Sequence, residues 1–94
     1  MVVTFKFIGS LRSFSGKGKL TLAFDGSIFL KDAMKKIVDE LPGFKSVLTD
    51  QERRETSTSM LVLVNGKEIS VLKGFDTLIK DGGEVVFVPV SHGG

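Results

Sequence analysis

The sequence predicts an α+β fold in which one amphipathic helix packs across a mixed sheet of four to five strands. Three observations lead to this prediction: strand patterns near both ends of the chain, one stretch with helical periodicity, and an Asn65-Gly66 pair within a further apolar stretch. The chain has 94 residues, of which 41% are hydrophobic and 26% charged, which suits one small domain. We expect residues 1–90 to form this domain and residues 91–94 to form a flexible tail.

The first two strands are predicted in the N-terminal part of the chain. Residues 2–8 are mostly β-branched or aromatic, and their alternation places Phe5 and Phe7 on one face. Residues 9–18, GSLRSFSGKG, are rich in Gly and Ser but lack the spacing of a phosphate-binding loop. We interpret them as the loop of a hairpin, because residues 19–24 alternate again and can pair with the first strand.

The helix is predicted over residues 28–41. Ser27 is suitable as its N-cap, and Pro42-Gly43 ends it. Lysines and acidic residues occupy one side of the helix, which we interpret as a solvated face. Apolar residues recur on the other side at spacings of three and four, and these are Leu30, Ala33, Met34, Ile37, Val38 and Leu41.

The segment after the helix, residues 44–59, is predicted to be a solvated loop with at most one helical turn near its start. It contains the run DQERRETSTS and lacks apolar periodicity. An apolar strand follows at residues 60–64, and Asn65-Gly66 then connects it to the short strand KEI. This dipeptide is a strong hairpin signal, because a tight turn needs positive φ at both of its central residues.

The last predicted strand, residues 84–90, is apolar at almost every position, which is typical of a central strand. A central C-terminal strand beside the first strand is the β-grasp arrangement. If Val85 and Phe87 pack against the helix, the alternate side chains must face outward. An exposed apolar patch commonly marks an interaction site. We therefore predict a partner-binding face made of Leu61, Leu63, Val86 and Val88.

Composition excludes several kinds of site. The chain has no cysteine, so it cannot form a thiolate metal site or provide a thiol nucleophile. A formal net charge of +2 is too small to indicate nucleic acid as the main partner. The single histidine, His92, has no evident second ligand, so we expect neither a metal site nor catalytic residues. No stretch is apolar enough to span a membrane, and we expect a cytoplasmic protein.

Three parts of the sequence, LVLVNGKEI, DTLIKDGGEVVFVPV and the terminal Gly93-Gly94, follow one another in an order and spacing that resemble a known family. This family is the ubiquitin-like sulfur carriers and small modifiers. It includes the molybdopterin-synthase small subunit, the ubiquitin-related modifier and the small archaeal modifier proteins. The resemblance covers nearly the whole chain. The chain departs from the family pattern at Gly83, where an acidic residue is typical, and at Val88-Pro89, where a proline pair is frequent.

The resemblance implies a carrier rather than an enzyme, with Gly93 and Gly94 as the site of activation. An E1-like adenylating enzyme would use ATP to adenylate the Gly94 carboxylate, and no cofactor would be bound by the carrier itself. The product would become a thiocarboxylate, which donates sulfur for molybdopterin synthesis or tRNA thiolation, or would be conjugated to target lysines. The further partner would then be a sulfur-accepting enzyme subunit or a target protein.

A second reading is a passive β-grasp interaction domain whose tail is not activated. Glycines at a chain end are also compatible with an ordinary flexible tail. The sequence leaves this alternative open, and it does not separate sulfur delivery from conjugation.

Overall fold

A computed structural model describes residues 1–16, 18–46 and 58–91 of the chain. Within these residues the elements follow the order strand, helix, strand, strand, helix and four further strands. Two short 3₁₀ turns, Ile69–Val71 and Gly74–Asp76, precede the last two strands. The elements are β1 (Val2–Phe7), α1 (Leu11–Ser15), β2 (Lys19–Ala23), β3 (Ile28–Phe29), α2 (Leu30–Glu40), β4 (Thr58–Val64), β5 (Lys67–Glu68), β6 (Leu78–Ile79) and β7 (Glu84–Ser91).

The described residues form a five-stranded mixed sheet in the order β2-β1-β7-β4-β5, and β3 and β6 form a separate two-stranded sheet. Strand β7 is central, parallel to β1 and antiparallel to β4. Strand β2 is antiparallel to β1, as predicted from its alternation. Buried residues of α2 join one core with the inner face of the large sheet. The predicted β-grasp fold is therefore confirmed.

The core is apolar and centred on aromatic rings. Phe5, Phe7, Phe44 and Phe87 are all buried. The Phe44 ring lies edge-on to the rings of Phe7 and Phe87, with centroid distances of 5.3 and 5.1 Å. Such edge-to-face pairs add to the stabilisation that burial itself provides.

The burial of Phe44 corrects the prediction of a solvated loop at residues 44–59. Residues 44–46 form a helical turn directly after α2, as predicted near the start of this segment, but this turn carries the Phe44 ring into the core. The backbone N–H of Phe44 donates to the carbonyl of Leu41 at 2.9 Å, which keeps the turn close to the helix end. Residues 47–57 lie outside the described residues, so the rest of the loop prediction is not tested.

The start of α2 also differs from the prediction. The helix begins at Leu30, and Ser27 is not its cap, because residues 28 and 29 pair with Leu78–Ile79 as a strand. The backbone N–H of Leu30 donates to the carbonyl of Thr77 at 2.8 Å. A tertiary contact thus satisfies a first-turn N–H group that a capping side chain would otherwise bond.

Residues 9–18 contain a short helix, so the prediction of a plain hairpin loop was wrong there. The described part of α1 buries Leu11 in the core. Gly16 ends the helix with a left-handed φ of 71°, and its N–H donates to the carbonyl of Arg12 at 2.8 Å. Glycine is the residue that most readily adopts this conformation at a helix end.

The tight turn between β4 and β5 has the predicted form. Asn65 and Gly66 have φ values of 50° and 83°, and Val64 pairs with Lys67 directly across the turn. Asn65 also holds the start of β7: its N–H donates to the carbonyl of Glu84 at 2.8 Å, and its Oδ1 accepts from the Glu84 N–H at 2.9 Å. This turn therefore joins three strands of the sheet.

Candidate functional site

Four apolar side chains lie on the face of the large sheet that α2 does not cover. Val85 and Phe87 point into the core with no exposed surface, so the alternate residues of β7 point outward. Leu61 lies opposite Val88, and Leu63 lies opposite Val86. Directly opposed residues of antiparallel strands have Cβ atoms about 4.5–5.5 Å apart. We call the resulting patch the outer sheet face, and its members are Leu61, Leu63, Val86 and Val88.

The predicted direction of these four side chains is therefore confirmed, and all four are half-buried. Their part in binding stays a prediction. Val90, two residues beyond Val88 in β7, is 36% exposed and extends the apolar surface along the strand. The outer sheet face thus continues toward the end of the chain.

A polar pair borders the other end of the outer sheet face. Lys6 lies beside Val86 in the parallel pairing of β1 with β7. Its Nζ is 2.9 Å from Oε2 of Glu84, and both side chains are less than half exposed. An ion pair of this exposure adds little stability, but it places charge at a defined edge of an apolar surface. Charged borders of this kind are typical of the rim of a protein interface.

Pro89 lies in the central strand without removing a hydrogen bond from the sheet. The carbonyl of Phe87 accepts from the N–H of Ile8, so the odd-numbered residues of β7 direct their backbone groups toward β1. Strand β1 ends at Phe7, and the Pro89 nitrogen therefore faces a position beyond that strand. A proline at a point where no strand partner remains costs no ladder bond. It does limit further pairing on that side.

The tail follows directly from this rigid strand. Strand β7 extends one residue farther than predicted, to Ser91, which pairs with Thr58 of β4. The predicted activation residues, Gly93 and Gly94, lie outside the described residues, as does His92. Sequence analysis did not identify the contact between Gly9 and Pro89, in which a Cβ added to Gly9 would be 3.4 Å from the Pro89 Cγ.

Two groups have shifted pKa values: Lys31 lies on α2, away from the outer sheet face, whereas Glu68 pairs with Leu63 and borders that face. A hydrogen bond from Lys31 to Asp76, reinforced by the attraction between their charges, raises the pKa of Lys31. Hydrogen bonds from the hydroxyl and the N–H of Ser70 lower the pKa of the Glu68 carboxyl. Both groups are on the surface. Within the described residues, no group of three or more histidines or carboxylates is placed to hold a metal ion.

Solved structures with this architecture include small archaeal modifier protein 1 from Haloferax volcanii. It is 21% identical, has a TM-score of 0.78, and is aligned over 100% of both chains. Small archaeal modifier protein 1 from Methanosarcina acetivorans is 29% identical, with a TM-score of 0.76 over 99% of this chain and 96% of that one. A putative molybdopterin converting factor subunit 1 from Pyrococcus furiosus is 19% identical, with a TM-score of 0.72 over 95% and 97% of the two chains.

The chain has the ubiquitin-like β-grasp fold. Two of these structures are named as small archaeal modifier protein 1 and one as a putative molybdopterin converting factor subunit, which confirms the resemblance found in the sequence. No protein-family model and no curated protein sequence matches the chain. In the part of this ubiquitin-like chain that the structure describes, no helix combines the length and apolarity needed to cross a membrane.

Proposed function

We propose that this protein is an activated carrier, whose C-terminal Gly94 carboxylate is adenylated by an E1-like enzyme and then passed on as a thiocarboxylate or to target lysines. The observation that carries the proposal is the continuity between the outer sheet face and the tail. The strand that supplies Val86 and Val88 leads, through Ser91, directly into Gly93-Gly94. An enzyme that binds the outer sheet face can therefore position the tail while its catalytic groups act on the Gly94 carboxylate.

The base of the tail is held firmly in this arrangement. Strand β7 pairs with β1 on one side and with β4 on the other. Pairing with β4 continues as far as Ser91. An enzyme that binds the outer sheet face thus meets a tail whose starting point is fixed. Fixing the reacting group before reaction is a large source of rate enhancement, because the cost in entropy is met during binding.

Length and side-chain size also suit the proposed role. Residues 92–94 can extend at most about 10 Å beyond Ser91, which lets the carboxylate enter a cleft while the folded domain stays outside. Glycine has no Cβ, so its backbone can pass close to the walls of a narrow channel. The diglycine therefore meets a steric requirement at the position where activation takes place.

The proposed chemistry proceeds by acyl activation. A carboxylate oxygen of Gly94 attacks the α-phosphorus of ATP, the bond between the α- and β-phosphates breaks, and pyrophosphate leaves. For sulfur delivery, the terminal sulfur of a partner persulfide attacks the acyl carbon and AMP leaves; a second thiol of the partner then cleaves the sulfur–sulfur bond, which leaves a thiocarboxylate on Gly94 and a disulfide on the partner. For conjugation, a partner thiolate displaces AMP to give a thioester, and a lysine amine then attacks the acyl carbon, which gives an amide and returns the thiol. This chain supplies the acyl group, and the partner supplies the catalytic residues.

The structural neighbours support the general role. One is named as a modifier protein and another as a subunit of a molybdopterin converting factor. Both names describe proteins that act together with others, and an apolar surface beside the tail base gives this chain a place for such a partner. We assign the outer sheet face to the activating enzyme.

Pyrophosphate exchange tests the proposal against the alternative of a passive interaction domain. The protein is incubated with ATP, labelled pyrophosphate and the E1-like adenylating enzyme of the same organism. An activated carrier returns label to ATP, whereas a passive domain binds without exchange. The intact mass of protein from native cells separates the two later steps. Replacement of one oxygen by sulfur indicates a thiocarboxylate, and a glycine remnant on lysines of other proteins after proteolysis indicates conjugation.

A further inference from the structure

A second apolar surface lies apart from the outer sheet face. Eight large apolar side chains are markedly exposed among the described residues, and five of these come from one small region. This region consists of Phe29 in β3 and the segment 71–78, so the exposed apolar side chains are clustered rather than scattered over the surface. We call it the side patch, and its members are Phe29, Val71, Leu72, Phe75 and Leu78.

Neighbouring contacts make the side patch continuous. Phe29 lies directly opposite Leu78 in the β3–β6 pair, and both are 45% exposed. Lys31 Nζ lies 5.8 Å from the centroid of the Phe29 ring and 3.0 Å from Oδ1 of Asp76. Asp76 follows Phe75 in the second 3₁₀ turn. This turn contacts the first 3₁₀ turn, which ends at Val71 and is followed by Leu72. Both β3 and the second turn contact α2, so the side patch is on the helix side of the domain.

The backbone beneath the side patch is well fixed. Thr77 is buried, its Oγ1 donates to the carbonyl of Gly74 at 2.7 Å, and the same oxygen accepts from the Lys73 N–H at 3.2 Å. The neighbouring side chain, Ile79, is completely buried. The segment therefore presents Phe75 and Leu78 outward on an anchored chain. Such a preformed surface loses little conformational entropy when it binds a partner.

Charge at the border indicates the chemistry of the partner. In residues 1–16, 18–46 and 58–91, Lys73 and Lys80 take part in none of the ion pairs, which are Lys6–Glu84, Lys31–Asp76 and Lys35–Asp32. Lys80 follows Leu78 by two residues and Lys73 follows Leu72, so both flank the side patch. Asp81 is exposed near this border, and its Oδ1 accepts from the N–H of Val2. With Lys31 paired to Asp76, the charges of Lys73 and Lys80 exceed that of Asp81 by one, so the border is net positive.

We propose that the side patch docks an amphipathic, acidic segment of a partner protein, with apolar side chains on Phe29, Phe75 and Leu78 and carboxylates at Lys73 and Lys80. A second copy of this chain fits less well, because it would bring two positive borders together. Opposite charge at the rim of an apolar contact favours the correct partner and disfavours one of like charge. The side patch shares no residue with the outer sheet face, so the two surfaces can be tested independently.

The test uses the full-length ¹⁵N-labelled protein and three synthetic peptides. The first is helix-forming, with Leu and Phe at helical spacing on one face and Glu on the other. The second carries Lys in place of Glu, and the third carries Ser in place of Leu and Phe. We expect the first peptide to shift the amide signals of residues 28–31 and 71–80 in a saturable way. The second should bind at least about tenfold more weakly, because its charges repel the border.

Matched variants locate the binding. Phe75→Ser and Leu78→Ser should each weaken binding of the first peptide at least about fivefold, which is the scale for an interface anchor. Ile8→Ser is the control, since Ile8 is 43% exposed but lies at the other end of β1 from the side patch. If Leu78→Ser lowers the thermal midpoint by disturbing β3 and β6, Phe75→Ser decides, because it lies outside both strands.

Three results would overturn the proposal. One is a saturable shift confined to Leu61, Leu63, Val86 and Val88, which would place the peptide on the outer sheet face. Another is equal binding of the acidic and basic peptides. The third is a concentration-dependent shift of residues 71–80 without any peptide, which would identify a second copy of the chain as the occupant.

Discussion

Gly83 lies so close to Ile79 that a Cβ atom on it would be 2.7 Å from the Ile79 Cγ2 and 2.9 Å from the carbonyl oxygen of Lys80. The N–H of Gly83 donates to that same carbonyl at 3.0 Å, and its own carbonyl accepts from Thr4 at 3.0 Å. The backbone is thereby held between β1 and the end of β6. A side chain at this position would therefore collide with the core, and glycine avoids the collision.

Gly83→Ala should therefore destabilise the fold. Ile79 is completely buried and cannot move aside freely, so we expect a loss of about 1–3 kcal/mol, the range for an overpacked core site. Thermal unfolding measures this as a lower midpoint. Gly26→Ala is the matched control, because a Cβ there meets nothing within 4 Å and its φ is not positive. Equal midpoints for the two variants would show that the contact between Gly83 and Ile79 is relaxed in solution.

Asn65→Ala should destabilise the fold at the turn where β4, β5 and β7 meet. Alanine tolerates the left-handed φ of 50° poorly, and the hydrogen bond from the Glu84 N–H to Asn65 Oδ1 is lost. We expect a loss of about 1–3 kcal/mol from these two effects together. Chemical denaturation measures the free energy of unfolding. Lys67→Ala, an exposed change in the same hairpin, should stay within about 0.5 kcal/mol of the native protein.

Phe44→Ala should be the most destabilising of the substitutions considered. The ring is fully buried against Phe7 and Phe87, and truncation of such a phenylalanine costs about 3–5 kcal/mol. Phe75→Ala makes the same chemical change at a ring that is 42% exposed and should have a small effect. A similar thermal midpoint for both variants would mean that Phe44 is not part of the core.

The secondary-structure elements differ in how well the sequence predicts them, because some are formed by interactions between residues near in sequence and others by interactions between distant residues. Strand β1 carries apolar alternation, β7 is a continuous apolar run typical of a central strand, and the Asn65-Gly66 turn depends on local backbone preference, so all three could be predicted. Strands β3 and β6 have two residues each and exist through pairing across about fifty positions of sequence. Because of that pairing, the helix starts at Leu30 rather than at the predicted Ile28.

The candidate site shows the same division. Strand geometry predicts that Leu61, Leu63, Val86 and Val88 share one face, and the condition that Val85 and Phe87 pack against the helix then turns that face outward. The side patch could not be predicted, because Phe29 and Leu78 become neighbours only through the β3–β6 pair. The burial of Phe44 was missed for a different reason: Phe44, Val47 and Leu48 recur at helical spacing, but the run is too short, beside a long polar segment, to indicate that Phe44 packs in the core.

Charged substitutions on the outer sheet face should weaken binding of the activating enzyme to this protein without unfolding it. Leu63→Asp and Val88→Asp each place a carboxylate in the middle of the apolar surface, and we expect binding to fall by about 2–4 kcal/mol, the scale for a central interface residue. Titration calorimetry with the E1-like enzyme measures this. Thr21→Asp is the control, because it adds the same charge to an exposed position of the edge strand β2. Unchanged affinity for both test variants would remove the outer sheet face from the proposed function.

The tail gives the most direct test of activation, because its requirement is positional. If the Gly94 carboxylate must reach the α-phosphorus of ATP, then deleting Gly94, replacing it with Val or adding one Ala should reduce pyrophosphate exchange by about a hundredfold or more, since a misplacement near 1 Å has an effect of that order. Thermal stability should stay within about 0.5 kcal/mol, because the changed residues follow the last strand. His92→Ala should keep most of the activity, as we assign that side chain no chemical role. Full exchange by the Ala-extended protein, without prior trimming, would show that activation does not depend on the diglycine end.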